Sequence, residues 1–281
     1  MNRTRLFLTI TVILTILSCQ SSHSKNSEKS ENKTVKADTI RIFHYNVGAF
    51  NKTDATSISY IAAMAKETDA EFISLNEVDS CTLRGGKIFQ AKEFAHAMGK
   101  WNYFFARAME YDSGAYGVAI ATAPSRPISH AYVVNLEKGD GSEPRALCVA
   151  ECEDIVFATT HLDHKGPTSQ LLQAKKVSST LLSKYRGKGK TVILCGDMNA
   201  FPSSETIRSF ENDWIILSDT LQYTYPAKKP NRCIDYVMLM KDSAPFSILK
   251  SETRSSFCSG DVKIASDHLP LETVIFISRQ K

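Results

Sequence analysis

The chain has 281 residues, 43% of them apolar, with 34 basic and 30 acidic residues for a formal net charge of +4. That length can bury a substantial core as one large domain or as two. The near balance of charge excludes the strong basic excess of a dedicated nucleic-acid binder.

Residues 1–19 read as a targeting segment. Arg3 and Arg5 precede an apolar run from Leu6 to Leu17, which is too short and wrongly placed for a stable membrane span. The run ends at Ile16-Leu17-Ser18-Cys19, which resembles the lipobox of a bacterial lipoprotein. That resemblance implies an exported chain held at the membrane through lipidated Cys19; an ordinary cleaved signal peptide is the alternative. Without Arg3 and Arg5 the charge falls to 32 basic against 30 acidic residues. Residues 20–38, rich in Ser, Lys, Asn and Glu, bury too little apolar surface to order themselves and read as a flexible tether.

From Thr39 to the end, one domain (39–281) is expected. A strand over Ile40 to Tyr45 ends in Asn46. Ile58, Ile61, Ala62 and Ala65 share a helical face. A strand from Glu71 to Leu75 runs into Asn76-Glu77-Val78-Asp79. Ala91, Phe94, Ala95 and Met98 predict a second helix closed by Gly99. Five strands follow, over Tyr103 to Ala106, Tyr116 to Thr122, Ile128 to Val134, Arg145 to Glu151 and Ile155 to Thr160. Leu171, Ala174, Val177, Leu181 and Leu182 predict a longer helix, and Lys184, Arg186, Lys188 and Lys190 beyond them a solvated turn. Further strands are expected before Asp197, over Cys233 to Met240 and over Leu271 to Ile277. Helices and strands mixed in this way predict an α/β fold, two mixed sheets packed together with helices outside, and a monomer. Cys81, Cys148, Cys152, Cys195, Cys233 and Cys258 form no CxxC pair and are expected as buried free thiols.

Function concentrates at strand ends. Thr191-Val-Ile-Leu-Cys-Gly-Asp197-Met-Asn199 is a buried strand delivering a carboxylate and a carboxamide to one side, because side chains alternate with a period of two. Asn46, Glu77, His161, Asp235 and Asp267-His268 likewise end, follow or sit within apolar runs. Such residues are costly to bury unless paired or coordinating something. Carboxylate and amide oxygens with few histidines favour Mg²⁺, Mn²⁺ or Ca²⁺ over zinc.

The series Tyr45-Asn46-Val47, Asn76-Glu77-Val78-Asp79, Tyr116-Gly-Val-Ala-Ile, Thr160-His161-Leu-Asp163-His164, Gly196-Asp197-Met-Asn199-Ala, Ile234-Asp235-Tyr236-Val and Ser266-Asp267-His268-Leu-Pro270 resembles the endonuclease/exonuclease/phosphatase family, in the family's order. The resemblance implies a four-layered α/β sandwich and metal-dependent cleavage of phosphoester bonds. It casts Glu77 as a metal ligand with Asn46 and Asp267 nearby, and Asp197 with Asn199 as the pair orienting water and a phosphate oxygen. Asp235 would hydrogen-bond His268, and His161 would donate to the phosphate or leaving oxygen. Either Asp197 or His268 could be the base. Gln170 and Gly48 stand where relatives carry Arg and an acid, and Gly48 speaks against abasic-site activity.

Around these, Arg145 either braces the site or is a surface ion-pair partner. Asp163 and His164 either support the site or cap a loop. His44 is expected to be structural, and Tyr116 a core or site-wall aromatic. A dinuclear zinc hydrolase would need a histidine where Asp163 stands, and a non-catalytic binding lipoprotein is the remaining alternative class. The expected substrate is a small or exposed phosphodiester, from nucleic acid, a phospholipid head group or a sugar phosphate; a phosphomonoester is the alternative.

Overall fold

The computed structural model describes residues 35–51 and 58–280; the targeting segment, Cys19 and the tether as far as residue 34 lie outside them. The first strand, β1 (Val35–Asn46), sets the frame. It pairs in parallel with β2 (Phe72–Ser80) and antiparallel with β12 (Leu271–Gln280). With β3 (Asn102–Tyr111), β4 (Gly114–Thr122) and β11 (Phe246–Thr253) these form one six-stranded sheet in the order β11-β12-β1-β2-β4-β3. The second sheet contains β5 (His130–Leu136), β6 (Arg145–Cys152), β7 (Ile155–His161), β8 (Thr191–Asp197), β9 (Trp214–Ile216) and β10 (Asp235–Met240), in the order β5-β6-β7-β8-β10-β9.

Side-chain alternation sorts each strand's residues between two apolar layers. In β1, Ile40 and Ile42 join the core between the sheets, while Phe43 and Tyr45 face outward under α1 (Ile58–Lys66) and α2 (Gln90–Gly99). In β8, Ile193 and Cys195 face the other sheet, while Val192 and Leu194 lie under α3 (Pro167–Tyr185) and α4 (Glu205–Glu211). Helices, sheet, sheet and helices make the expected four layers. Phe72 and Phe157 meet across the sheets with ring centroids 5.3 Å apart, each buried ring contributing about 1.5–3 kcal/mol.

The same alternation positions the site. At the carboxyl ends of four strands, and at the start of antiparallel β10, the residues facing the other sheet are polar where the adjoining residues on that face are apolar: His44 and Asn46, Ser74 and Asn76, Thr159 and His161, Asp197, and Asp235. Register aligns them, with Asn46 opposite Asn76, His161 opposite Asp197, and Asp235 opposite Asp197. Gly196 lets β7 and β8 close at this level, because a Cβ there would lie 2.1 Å from the Thr160 carbonyl oxygen.

Several boundaries differ from the sequence reading. Val35 to Asp38, expected as the end of the tether, belong to β1, because antiparallel partners Gln280 to Ile277 extend the ladder. β3 runs on to Tyr111 because it forms a hairpin with β4. β9, β11, α4 and the four-residue α5 (Val262–Ala265) are additional elements. All six cysteines after Cys19 are free, as expected, but Cys81 and Cys258 are exposed rather than buried. Among the described residues no helix is long and apolar enough to cross a membrane.

Candidate active site

Asp197 sits at the tip of β8, 1% exposed. Its backbone N–H donates to Asn76 Oδ1 at 2.7 Å, and its Oδ1 accepts from the Asn199 N–H at 2.9 Å. Its Oδ2 accepts from Asn46 Nδ2 at 3.0 Å and lies 3.5 Å from His161 Nε2 and 3.6 Å from His268 Nε2. One carboxylate oxygen is therefore the point on which an amide and two imidazoles converge. Burial and the negative charge of Asp235 push its pKa up to about 7, against the pull of His268 and of the N–H donors of Asn199 and Asn46.

Behind His268 lies a buried relay. Asp235 Oδ2 is 2.9 Å from His268 Nδ1, and its Oδ1 is 3.2 Å from His44 Nε2. His44 Nδ1 meets Ser74 Oγ at 2.8 Å, and Ser74 meets Thr159 at 2.6 Å. His44 is thus packed into the strand, as expected, but it also completes the hydrogen bonding of Asp235. Burial pulls His268 down, yet the charges of Asp235 and Asp197 and the Asp235 hydrogen bond raise it to about 9. Asp235 is pushed up by burial and held well below the usual carboxylate range by the His268 charge and by hydrogen bonds from both histidines.

His161 has a different support. Arg145, 3% exposed, places Nη1 3.3 Å from His161 Nδ1 and Nη2 3.3 Å from His164 Nδ1. On the other side, Asn199 Nδ2 lies 2.9 Å from His161 Nε2 and also donates to the Leu162 carbonyl. Both nitrogens of His161 face donors, so the neutral ring accepts from Arg145 or from Asn199 but not from both. Arg145 is therefore a buried brace rather than a surface ion-pair partner, although its Nη1 also meets Glu143 at 3.3 Å.

Asp163 caps the adjoining loops: its carboxylate accepts backbone N–H bonds from Ser142, Glu143, Lys165 and Gly166 at 2.7–3.0 Å. His164 and Tyr116 line the cavity. Gln170, in the place of the relatives' arginine, is buried and ties Asp163 O to Asn199 O through its Nε2.

Glu77 stands on a bulge of β2, at φ +56°, where pairing with β4 slips between Asn76 and Val78. Its Oε1 accepts from Asn46 Nδ2 at 3.0 Å. Asp267 precedes His268, which is fixed by Ser266, whose hydroxyl donates to the Asn46 carbonyl at 2.6 Å. Glu77 and Asp267 line the same cavity of about 430 Å³ as Asp197, Asn199 and His268. All eight candidate residues are thereby brought to one place. Asn46 turns its amide nitrogen to the two carboxylates because Gly48 N–H occupies its oxygen at 3.1 Å.

The donor set fits a hard divalent cation, since Glu77 and Asp267 offer carboxylate oxygens and no cysteine lines the cavity. Asp197, Asp235 and His268 also bring ligand atoms within 4.8 Å of one another. Both Asp235 oxygens are taken by histidines, however, so this group is a hydrogen-bonded relay and not a metal cage. Sequence reasoning missed Arg84, which lines the cavity beside Tyr111. Its signal was Arg84-Gly85-Gly86, five residues after Asp79, a turn able to fold the side chain back.

A sequence model of the Endonuclease/Exonuclease/phosphatase family matches residues 43–268. No curated protein matches the chain. Among solved structures, an endonuclease/exonuclease/phosphatase family protein from Bacteroides thetaiotaomicron is similar with a TM-score of 0.69 and 18% identity, over 86% of this chain and 99% of that one. The mannosyl-6-phosphatase Bt3783 of Bacteroides thetaiotaomicron VPI-5482 gives 0.65 and 19%, over 84% and 99%. The human Nocturnin catalytic domain with bound sulfate anion gives 0.64 and 16%, over 87% and 96%. The chain belongs to the endonuclease/exonuclease/phosphatase family, whose members are divalent-metal-dependent hydrolases of phosphoesters.

Proposed function

We propose that this protein hydrolyses a small, exposed phosphodiester by in-line attack of water. The convergence of Asn46, His161 and His268 on Asp197 Oδ2 carries the reading. Asp197, with a pKa near the working pH, accepts the proton of the attacking water while oxygen bonds to phosphorus and the leaving oxygen departs. His268, kept cationic by Asp235, presents Nε2–H to the charge that develops. Donation from the cationic Arg145 to Nδ1 of His161 is the stronger of its two options. It leaves the His161 proton on Nε2, on the cavity side, and frees the Asn199 amide for a phosphate oxygen. Glu77 and Asp267, with Asn46 beside them, would hold Mg²⁺ or Mn²⁺, which supplies charge neutralisation at the phosphoryl oxygens.

One observation favours a monoester instead. Arg145 and Arg232 both line the cavity, cations able to meet the second negative charge of a monoester, and the similar Bt3783 is named as a mannosyl-6-phosphatase. Hydrolysis of bis-(p-nitrophenyl) phosphate, p-nitrophenyl phosphate and plasmid DNA, with Mg²⁺, with Mn²⁺ and with chelator, separates the readings. Metal-dependent cleavage of the diester that disappears in His268→Ala is expected. Release from the monoester alone selects the phosphatase. No turnover of any of the three by folded, metal-loaded protein returns the chain to a binding role.

We further propose export and membrane attachment through Cys19, supported by Arg3, Arg5 and the Leu6 to Leu17 run. Membrane fractionation of Cys19→Ala tests it, with release into the soluble fraction expected.

A further inference from the structure

Resting on the phosphoesterase reading, one wall of the cavity stands apart from the reaction chemistry. Asp79, fully buried, accepts from Arg84 Nε at 2.7 Å, from Arg84 Nη2 at 2.8 Å and from Thr82 Oγ1 at 2.8 Å. The guanidinium lies 4.4 Å from the centroid of the Tyr111 ring and 5.5 Å from that of Tyr116. Its Nη1 makes no hydrogen bond among the described residues.

The support is rigid. Arg84 N–H donates to Asp112 Oδ2 at 2.6 Å, and Leu83 N–H to Asp112 O at 2.9 Å, so the loop after β2 is fastened to the β3–β4 hairpin. At Gly114 a Cβ would lie 2.4 Å from the Ser80 carbonyl oxygen, which shows how closely hairpin and loop approach. Tyr111, at the tip of that hairpin, is 39% exposed.

None of these groups contacts Asp197 or His268. A guanidinium pinned by a buried carboxylate offers fixed N–H donors with its charge already balanced, which suits neutral hydroxyl oxygens better than a second phosphate. The half-exposed Tyr111 ring adds an apolar face and a phenol hydroxyl.

We infer that Arg84, locked by Asp79 and backed by Tyr111, is a specificity-determining subsite for the alcohol side of the ester, and that this alcohol is a polyhydroxylated ring such as a hexose.

The test compares kcat/KM, with Mg²⁺ present, for hexose phosphates and their methyl phosphodiesters against p-nitrophenyl phosphate and bis-(p-nitrophenyl) phosphate. Wild-type protein is expected to favour at least one hexose ester. Arg84→Ala is expected to lower kcat/KM on that ester about tenfold or more while changing the aryl ester by less than about threefold. Because Arg84→Ala leaves Asp79 buried without its partner, Tyr111→Ala serves as a second variant on an exposed position, expected to shift the same ratio in the same direction. Equal losses on hexose and aryl esters in both variants, or a wild type with no hexose preference, overturn the inference and leave the phosphoesterase reading standing. Absence of turnover on every ester overturns that reading, and the subsite with it.

Discussion

His268 leans on a carboxylate and His161 on a guanidinium, although both imidazoles point Nε2 at the same oxygen of Asp197. Asp235 fixes the His268 proton on Nδ1 and stabilises the positive ring. Arg145 offers N–H groups to His161, and a positive ring there would face positive charge. Under the proposed mechanism, two histidines that look alike in sequence are thereby given different work: His268 holds a cation against the developing charge, and His161 acts as a donor oriented by Arg145. Residue type alone does not assign these roles; the group behind each ring does.

Reversing the support of His268 breaks the comparison most severely. Asp235→Asn removes the charge that keeps His268 protonated and also unbalances His44, so kcat is expected to fall about 10³-fold or more, with KM little changed. Steady-state kinetics on p-nitrophenyl esters with saturating Mg²⁺ measure this. Next comes Arg145→Gln, which withdraws a charge-assisted donor from His161 and His164. A loss of about 10²-fold in kcat is expected; an unchanged kcat would show that Arg145 only fills space.

The pH profile sharpens the same contrast. The proposed mechanism needs Asp197 deprotonated and His268 protonated, so the wild-type rate is expected to rise through about pH 7 and fall through about pH 9. The Asp235 charge raises both values. Whatever activity Asp235→Asn retains should therefore show both limbs displaced to lower pH, whereas Arg145→Gln should leave the alkaline limb in place.

The contrast also marks what the sequence could disclose. Strand-end polar residues stood out because a period of two carries them onto the buried side of an otherwise apolar strand, and the order of motifs around Asn46, Glu77, Asp197 and Asp267-His268 carried the family. Partnerships across the sheets did not show. His44 to Asp235 spans 191 positions and depends on how the two sheets face each other. The +56° backbone at Glu77 is set by a slip in pairing with β4, which no local pattern announces. β11 escaped because it is an edge strand with Ile248 and Leu249 both exposed, so alternation is absent. α5 is too short for helical periodicity.

The smallest expected effect on the site, and one read in stability, concerns the loop that carries the arginine side of the pair. Burial alone would raise the pKa of Asp163, but the N–H groups of Gly166, Lys165 and Glu143 and the Ser142 hydroxyl hold it well below the usual carboxylate range. A carboxylate whose folded pKa is depressed contributes stability that is fully present above its unfolded value, near 3.9, and is lost as pH falls through the folded value. Urea unfolding of wild type should accordingly weaken between about pH 5 and pH 2. Asp163→Asn turns an N–H group toward donors and is expected to cost about 2–4 kcal/mol at neutral pH. Below pH 4 the gap between the two proteins should narrow, because protonation takes from wild type what the substitution has already removed. A constant gap across that range would place the stabilisation in packing rather than in the charge. Since His268 is anchored on other loops, by Ser266 Oγ, which accepts its backbone N–H at 3.2 Å, and by the Tyr225 ring, whose centroid lies 4.8 Å from its own, Asp163→Asn should lower kcat less than Arg145→Gln does and leave the His268 limb of the pH profile unmoved.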